Sequence, residues 1–338
     1  MIRASTYVSV IEQSQVAEAR RTAQSCAEAL HLDAVAAGRA ALVATELATN
    51  LIKHAGGGSI VIGSDEETPD SIEIVAIDKG RGMPNVQTAM QDGYSTAGSQ
   101  GTGLGAVRRN AASMDVYSAP GKGTVVACRV ENEDVARRNV HRPLVQPRLE
   151  VAGIAVPKHG ETDNGDSWTA MQNGDAMTIA VVDGLGHGRA ASTASSAAIR
   201  VFREHPNRGI EEQMQSAHGA LRPTRGAAAG IALIVPEAAR LDFVGVGNIA
   251  GVIVTDDAAR RVISHNGIVG HELRKVQTFS YPWPAGAILV MHSDGLSGNW
   301  SLQSYPGLLA QPALIIAAVL FRDFCRGNDD ATIVVAKS

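Results

Sequence analysis

Four aspartates in the second half of this 338-residue chain each stand beside a short apolar run, as residues at strand ends do. Hard divalent cations prefer oxygen ligands, and several carboxylates at neighbouring strand ends can supply them. Two ions about 3.5–4 Å apart can clamp a phosphate and lower the pKa of a water between them. The pattern predicts direct metal-assisted hydrolysis of a phosphate ester. The four residues are Asp166, Asp183, Asp294 and Asp329.

Each of these aspartates also has a plainer interpretation, because a single Asp-Gly pair is usually a turn. His187, in Asp183-Gly-Leu-Gly-His-Gly188, is more often a helix-start residue than a ligand, since oxygens suffice for Mg²⁺ or Mn²⁺. The joint pattern of the four, each next to an apolar run, favours a shared site.

The first half carries a second set of candidate residues at helical spacing. Glu46, Asn50 and His54 are four residues apart, so their side chains lie along one helix face. A carboxylate and an amide placed in this way can hold Mg²⁺ and orient a hydroxyl near a phosphate. On spacing alone, a solvated helix face is the more common explanation.

Two glycine-containing segments complete this candidate site. Asp78 follows an apolar run, and its carboxylate could accept from an exocyclic amine such as that of adenine. Gly80 and Gly82 allow a tight turn there, although a plain Asp-Gly turn remains the alternative. A second segment opens a helix, where backbone N–H groups favour phosphate. Neither the P-loop nor the Rossmann pattern fits it. It consists of Gly101, Thr102, Gly103, Leu104 and Gly105.

The elements that must position these residues divide the chain in two. Helical patterns at 14–30, 33–55 and 104–112, with apolar runs at 59–63, 71–77, 114–118 and 124–130, predict a mixed α/β unit. The charged, proline-containing stretch that follows is a linker. Beyond it, short apolar runs and one helix predict a β-rich α/β half. We therefore predict domains at 1–131 and 149–338, joined by 132–148.

Bulk properties exclude several classes of protein. The net charge of −4 argues against nucleic acid or an anionic membrane as the main partner. Residues 1–10 lack the basic-then-apolar run that predicts a secretory signal. The apolar stretch at 313–321 is too short to span a bilayer. Three widely spaced cysteines are typical of reduced thiols. We expect a cytoplasmic protein.

As a set, the first-half motifs resemble the GHKL ATPase superfamily, the fold of histidine kinases and anti-sigma factors, and especially its stressosome switch-kinase branch. The resemblance implies a two-layer α/β sandwich binding ATP with Mg²⁺. It implies that Asn50 holds Mg²⁺, Asp78 contacts adenine, the glycines wrap the phosphates and Glu46 is the base. Thr124 would lie in the last conserved turn. No phospho-acceptor histidine domain is visible, so a two-component histidine kinase is not expected.

The second-half motifs resemble the metal-dependent PPM-type phosphatases of the SpoIIE-like branch, and among them a compact stressosome feedback phosphatase. The family implies an αββα four-layer sandwich with two Mn²⁺ or Mg²⁺ ions. Asp183 would bridge the ions, with the Gly184 carbonyl on one of them. Asp294 and Asp329 would hold the other, and Asp166 would be a ligand or support one. Asp330 is a weaker candidate, because the family often has Asn there.

Together the halves predict a phosphoserine/phosphothreonine phosphatase fused to an ATP-binding, serine-kinase-like module. Its expected partners are STAS-domain proteins or related sigma-factor regulators. Three alternatives remain for the first half: a kinase on the same partner, an ATP-dependent gate for the phosphatase, or an anti-sigma-type binding module. A non-catalytic scaffold with two degenerate sites is the alternative for the whole chain.

Overall fold

The computed structural model describes residues 4–65, 68–86, 103–133 and 149–338. The chain divides into two compact units. The first contains Met1–Val145 and Ser304–Arg322, and the second contains Gln146–Gln303 and Asp323–Ser338. The sequence had assigned the whole of 149–338 to one domain, whereas this division places Ser304–Arg322 with the first unit.

The first unit has a five-stranded antiparallel sheet with the order β1-β2-β3-β5-β4. Its strands are β1 (Ala4–Val10), β2 (Gly58–Asp65), β3 (Thr68–Ile77), β4 (Ser113–Ser118) and β5 (Thr124–Glu131). Its helices are α1 (Gln13–Ala29), α2 (Ala34–Asn50), continued by a π-helical turn at Leu51–Ala55, and α3 (Gly103–Asn110). The predicted helices and strands of this half are confirmed, and β1 is an additional strand.

Caps and small side chains explain the two long helices. Glu12 and Gln15 form a capping box at the start of α1, and the Asp33 side chain accepts from the Ala36 N–H at the start of α2. Both helices bury alanines against the sheet, among them Ala23 and Ala40. Because alanine has no side chain beyond Cβ, the helices lie close together over the sheet. The stretch Ala34–Ala55 is long and apolar enough to cross a membrane by composition, but half of its most apolar window is buried in this core.

The segment Ser304–Arg322 contributes most of helix α6 (Ala313–Phe324) to the first unit. The Phe321 ring lies 6.5 Å from that of Tyr7 on β1. The Tyr117 hydroxyl donates to the carbonyl of Pro306 at 3.3 Å. The first contact joins residues 314 positions apart and the second joins residues 189 positions apart, which sequence periodicity cannot anticipate.

The second unit contains two five-stranded antiparallel sheets, with the orders β13-β10-β9-β8-β7 and β12-β11-β14-β15-β6. Trp168 of β7 packs onto β6, where a Cβ at Gly153 would come within 2.9 Å of the Trp168 ring. Two helices, α4 (Arg189–Glu204) and α5 (Ile210–Leu221), pack their apolar sides on the sheet that contains β8, β9 and β10. The strands are β6 (Glu150–Val156), β7 (Asp166–Asn173), β8 (Ala176–Gly184), β9 (Ala227–Val235), β10 (Arg240–Val246), β11 (Ala250–Val254), β12 (Ala259–Arg261), β13 (Phe279–Pro282), β14 (Ile288–His292) and β15 (Ala331–Lys337).

Candidate functional site

The β7–β8 hairpin of the second unit brings two predicted site residues together. Asp166, the first residue of β7, lies directly opposite Asp183, near the end of β8. The Gly184 N–H donates to the Gly165 carbonyl at 3.1 Å, which holds this end of the hairpin closed. Residues directly opposite each other in an antiparallel pair point to the same face. The hairpin therefore presents both carboxylates on one side of the sheet.

The loop before β15 adds two more carboxylates. The Asp330 carboxylate accepts from the Lys158 N–H at 2.8 Å, and the Asp329 carboxylate accepts from the Asp330 N–H at 2.9 Å. The second oxygen of Asp330, Oδ2, is buried and has no hydrogen-bond partner among the described residues. A side chain at Gly165 would come within 2.5 Å of this oxygen. Asp330 therefore lies beside the Asp166 loop, although the sequence had ranked it a weaker candidate.

The remaining aspartate, Asp294, follows β14 and is exposed. Its Oδ2 accepts from the Asn248 side-chain amide at 2.8 Å. The preceding residue, Ser293, is buried and donates to Asp166 Oδ2 at 2.6 Å. Neither Asn248 nor Ser293 was predicted as a site residue.

The cluster is under electrostatic strain. Burial raises the pKa of Asp166 well above its usual value, and the neighbouring Asp183 raises it further. Burial also raises the pKa of Asp183 to about 7, with added repulsion from Asp294, Asp329 and Asp330. The pKa of Asp330 is raised for the same first reason, although the Lys158 and Gly165 N–H groups partly offset the effect. Carboxylates gathered in this way need a cation to remain charged at neutral pH.

The donor set fits divalent metal ions, because it is made of carboxylate oxygens and includes a buried oxygen that lacks a partner. Within the described ranges, no three His, Cys, Asp or Glu side chains already converge on a single point in metal-binding geometry. The fit therefore rests on the chemistry and charge of the cluster. His187 lies at its edge, with Nδ1 2.8 Å from Glu161 Oε1. Nothing in the sequence pairs these two residues.

In the first unit, Asp78 follows β3 and is held by two backbone donors. Its Oδ1 accepts from the Gly80 N–H at 2.8 Å and from the Thr124 N–H at 3.1 Å. Two glycines make this turn possible. Both Gly82 and Gly123 have positive φ, and a Cβ would collide with the Ala119 carbonyl at Gly82 and with the Asp78 carbonyl at Gly123. Partial burial raises the pKa of Asp78, while the two N–H groups and the Arg322 charge lower it.

The start of α3 lies beside the α2 residues. A Cβ at Gly103 would be 3.1 Å from Asn50 Oδ1 and 3.6 Å from Glu46 Oε2. The structure thus brings Glu46 and Asn50 of the predicted helix face close to Gly103 of the glycine segment. Leu104 is partly buried against the core, and Gly105 is buried within α3. The predicted residues Gly101 and Thr102 lie outside the described residues.

Two family models match the chain. Residues 11–129 match the histidine kinase-like ATPase domain, and residues 173–338 match stage II sporulation protein E, SpoIIE. Residues of the first half are 32% identical over 123 positions to the serine/threonine-protein kinase RsbT of Bacillus subtilis, covering 90% of that protein and 35% of this chain. The chain belongs to the histidine kinase-like ATPases in its first half and to the SpoIIE-type phosphatases in its second. The predicted family membership of both halves is confirmed.

Relatives of the second half agree with this assignment. The chain is 25% identical over 141 residues to the phosphoserine phosphatase RsbX of Bacillus subtilis, covering 71% of that protein and 41% of this chain. A structure solved in a study of the bacterial stressosome superposes with a TM-score of 0.53 at 26% identity, covering 56% of this chain and all of the other. The phosphatase domain of Bacillus subtilis SpoIIE with part of its regulatory domain shares the fold, with a TM-score of 0.50 at 19% identity, covering 82% of this chain and 81% of that one. The second half is thus a PPM-type serine/threonine phosphatase domain.

The strain in the aspartate cluster predicts how the metal-free protein responds to pH. Burial and the neighbouring aspartates raise the pKa of Asp183 to about 7 in the folded state, well above the usual value of an aspartate. The folded state therefore binds this proton more tightly than the unfolded state does, which stabilises the fold at low pH. That stabilisation is lost as the pH rises towards 7. We expect metal-free Asp183→Asn to lose less stability than the parent between about pH 5 and about pH 7.5, by roughly 2–4 °C in unfolding temperature.

Asp175→Asn, in the exposed turn of the same hairpin, is the matched control and should follow the parent. Adding Mg²⁺ should stabilise the parent and the control but not Asp183→Asn. Unfolding temperatures are measured by circular dichroism in EDTA. If they change with pH in parallel for all three metal-free proteins, burial and repulsion at Asp183 do not control stability.

Proposed function

We propose that this chain removes phosphate from phosphoserine or phosphothreonine on a STAS-domain partner, and that its ATP-binding half is a serine kinase for the same class of partner. The aspartate cluster of the second unit carries the phosphatase part. Two divalent ions bound there would supply charge neutralisation and an activated water. Mg²⁺ and Mn²⁺ both suit an all-oxygen site. Expected ligands are Asp183, the Gly184 carbonyl, Asp294 and Asp329, with Asp166 as a ligand or support.

The chain's own residues in this site have distinct tasks. Asp183 and Asp166 face one another across the hairpin and set the position of the site. Ser293 holds one oxygen of Asp166, and Asn248 holds one oxygen of Asp294. Fixed carboxylates of this kind would keep the reacting groups in one geometry and so lower the entropic cost of reaction.

The kinase part rests on the arrangement around α2. Asn50 would hold Mg²⁺, and Glu46 would take the proton from the acceptor serine as its oxygen attacks the γ-phosphate of ATP. Glu46 also lines an open cleft of about 750 Å³ between α1 and α2, which gives an acceptor side chain a route to it. The partner class is inferred from the relatives: RsbT is a serine/threonine kinase, RsbX is a phosphoserine phosphatase, and a stressosome structure shares the fold.

One observation favours a second candidate, in which ATP gates the phosphatase without phosphate transfer. Burial raises the pKa of the expected adenine contact Asp78, and the charge of Arg322, which belongs to the first unit, partly offsets this effect. Seven residues later the chain supplies Asp329 to the second unit. Nucleotide binding at Asp78 would therefore act on a segment that continues directly into the phosphatase site.

Hydrolysis of a phosphorylated STAS protein tests the phosphatase. Phosphate release should require Mn²⁺ or Mg²⁺, stop in EDTA, and fall by roughly a hundredfold or more in Asp183→Asn because a metal ligand is lost. Asp175→Asn should retain the parent rate. Metal-independent release, or full activity in Asp183→Asn, would overturn the mechanism.

Transfer of labelled phosphate from ATP to an unphosphorylated STAS protein tests the kinase, in an Asp183→Asn background that prevents its removal. Glu46→Gln should reduce transfer by roughly a hundredfold to ten-thousandfold, the usual contribution of a general base. Glu18→Gln, an exposed change on α1, should have no effect. An ATP-dependent phosphatase rate without any transfer would favour the gating alternative instead.

The hydrogen bonds of Asp78 predict its effect on base selection. Oδ1 accepts both backbone N–H groups, so Oδ2 is the oxygen that could accept from the adenine amine. Asp78→Asn keeps an Oδ1 that can accept from the two backbone N–H groups, but it replaces Oδ2 with an NH₂ donor that faces the adenine amine. We expect ATP affinity to fall roughly tenfold to a hundredfold, with little change in stability.

Because guanine presents an oxygen where adenine presents the amine, GTP should lose less affinity than ATP in Asp78→Asn. Calorimetric titration with both nucleotides measures this shift, with the exposed Asp70→Asn on β3 as control. Equal losses for the two nucleotides would show that Asp78 does not contact the base edge.

A further inference from the structure

The turn between α5 and β9 in the second unit is fixed by hydrogen bonds. The Thr224 N–H and hydroxyl both donate to the Leu221 carbonyl, at 2.9 Å and 2.7 Å. The Thr224 hydroxyl oxygen in turn accepts from the Gly226 N–H at 3.0 Å. His271 Nε2 lies 3.1 Å from the Thr224 carbonyl. The backbone on both sides of Arg225 is therefore held in one conformation.

The same turn is tied to the loop that follows Asp183. The Leu185 N–H donates to the Gly226 carbonyl at 3.0 Å, and the pairing of β8 with β9 places Asp183 opposite Ala228. Gly226 has a φ of +81°, and a Cβ there would lie 2.7 Å from the Val269 carbonyl. Only glycine allows the chain to bend there, so Arg225 is held next to the Asp183 loop.

The Arg225 guanidinium reaches along this loop. Its Nη1 lies 3.0 Å from the position that a Cβ would take at Gly186, a residue with φ of +90°. Arg225 is exposed, and it has no hydrogen-bonded or ion-paired partner in the part of the chain that the structure describes. Some arginines of this unit do have partners, since Arg203 donates to Thr169 and Arg240 pairs with Asp242, so it is the place of Arg225 beside the Asp183 loop that distinguishes it from other exposed arginines.

The excess negative charge of the aspartate cluster indicates a role for the Arg225 guanidinium beside it. Five aspartates carry more negative charge than two divalent ions neutralise, and a phosphoryl dianion adds to the excess. A cation at the edge of the cluster would counter the repulsion of an incoming phosphate. Arginine suits this role because its planar fork can donate two hydrogen bonds to phosphate oxygens and carries a fixed positive charge.

We propose that Arg225 binds the phosphoryl group of the substrate at the phosphatase site, an inference that rests on the proposed hydrolase function. During hydrolysis the water oxygen bonds to phosphorus, the bond between phosphorus and the serine oxygen breaks, and that oxygen receives a proton. Arg225 exchanges no atoms in these steps. It holds the phosphoryl oxygens, and afterwards it holds the released inorganic phosphate until that ion leaves.

Inorganic phosphate and p-nitrophenyl phosphate test this role directly, because neither carries a protein chain. In the full-length protein with Mg²⁺, Arg225→Gln should weaken phosphate binding by calorimetry roughly tenfold to a hundredfold. The inhibition constant of phosphate and the KM for p-nitrophenyl phosphate should rise in parallel. Arg225→Lys should recover part of this loss, since it keeps the charge without the fork. Arg222→Gln, an exposed change in the same turn, is the matched control and should behave as the parent.

Parent-like phosphate affinity in Arg225→Gln would overturn the proposal. So would a loss confined to the phosphoprotein substrate, because the guanidinium would then contact the partner chain and not the phosphoryl group. Failure of the parent itself to hydrolyse either substrate would instead count against the proposed function, while phosphate calorimetry would still decide the role of Arg225. Circular dichroism of all variants checks that they are folded.

Discussion

Mutual repulsion among buried carboxylates is the constraint on which the second unit depends. Asp166 and Asp183 face each other across a hairpin, and Asp330 is packed against the Asp166 loop. Burying several like charges opposes folding unless cations or protons neutralise them. Strand pairing fixes Asp166 and Asp183 relative to each other, the Ser293 hydroxyl donates to Asp166, and the Lys158 N–H donates to Asp330. Divalent ions bound at a site assembled in this way would relieve the repulsion and so stabilise the unit.

The sequence predicted most elements and the candidate residues, because both depend on local signals. Apolar runs bounded by glycine marked the strands that end near Asp183 and Asp294. The alanine-rich pattern marked α1 and α2, although α2 proper ends at Asn50 and a π-helical turn continues to Ala55. Strand β1 was not predicted, since a seven-residue strand at the chain start has weak periodicity.

Long-range packing could not be predicted in this way. Asp330 gains its position from Lys158 and Gly165, more than 160 residues away, and no local pattern encodes that contact. The pairing of His187 with Glu161 and the position of Arg225 beside Gly186 have the same origin. The fold turns scattered polar residues into neighbours, so their roles emerge only once strand order and register are known.

Chain connectivity couples the two units even though each has its own core. The chain leaves the second unit after Gln303, contributes Ser304–Arg322 to the first, and returns at Asp323, shortly before Asp329 and Asp330. If the first unit unfolds, this segment loses the contacts made by Phe321 and Pro306. The loop that bears Asp329 and Asp330 also has contacts of its own within the second unit, because the Arg326 N–H donates to the Gly295 carbonyl and the Lys158 N–H donates to Asp330. The position of these two carboxylates therefore rests on packing within the second unit as well as on the path of the chain through the first.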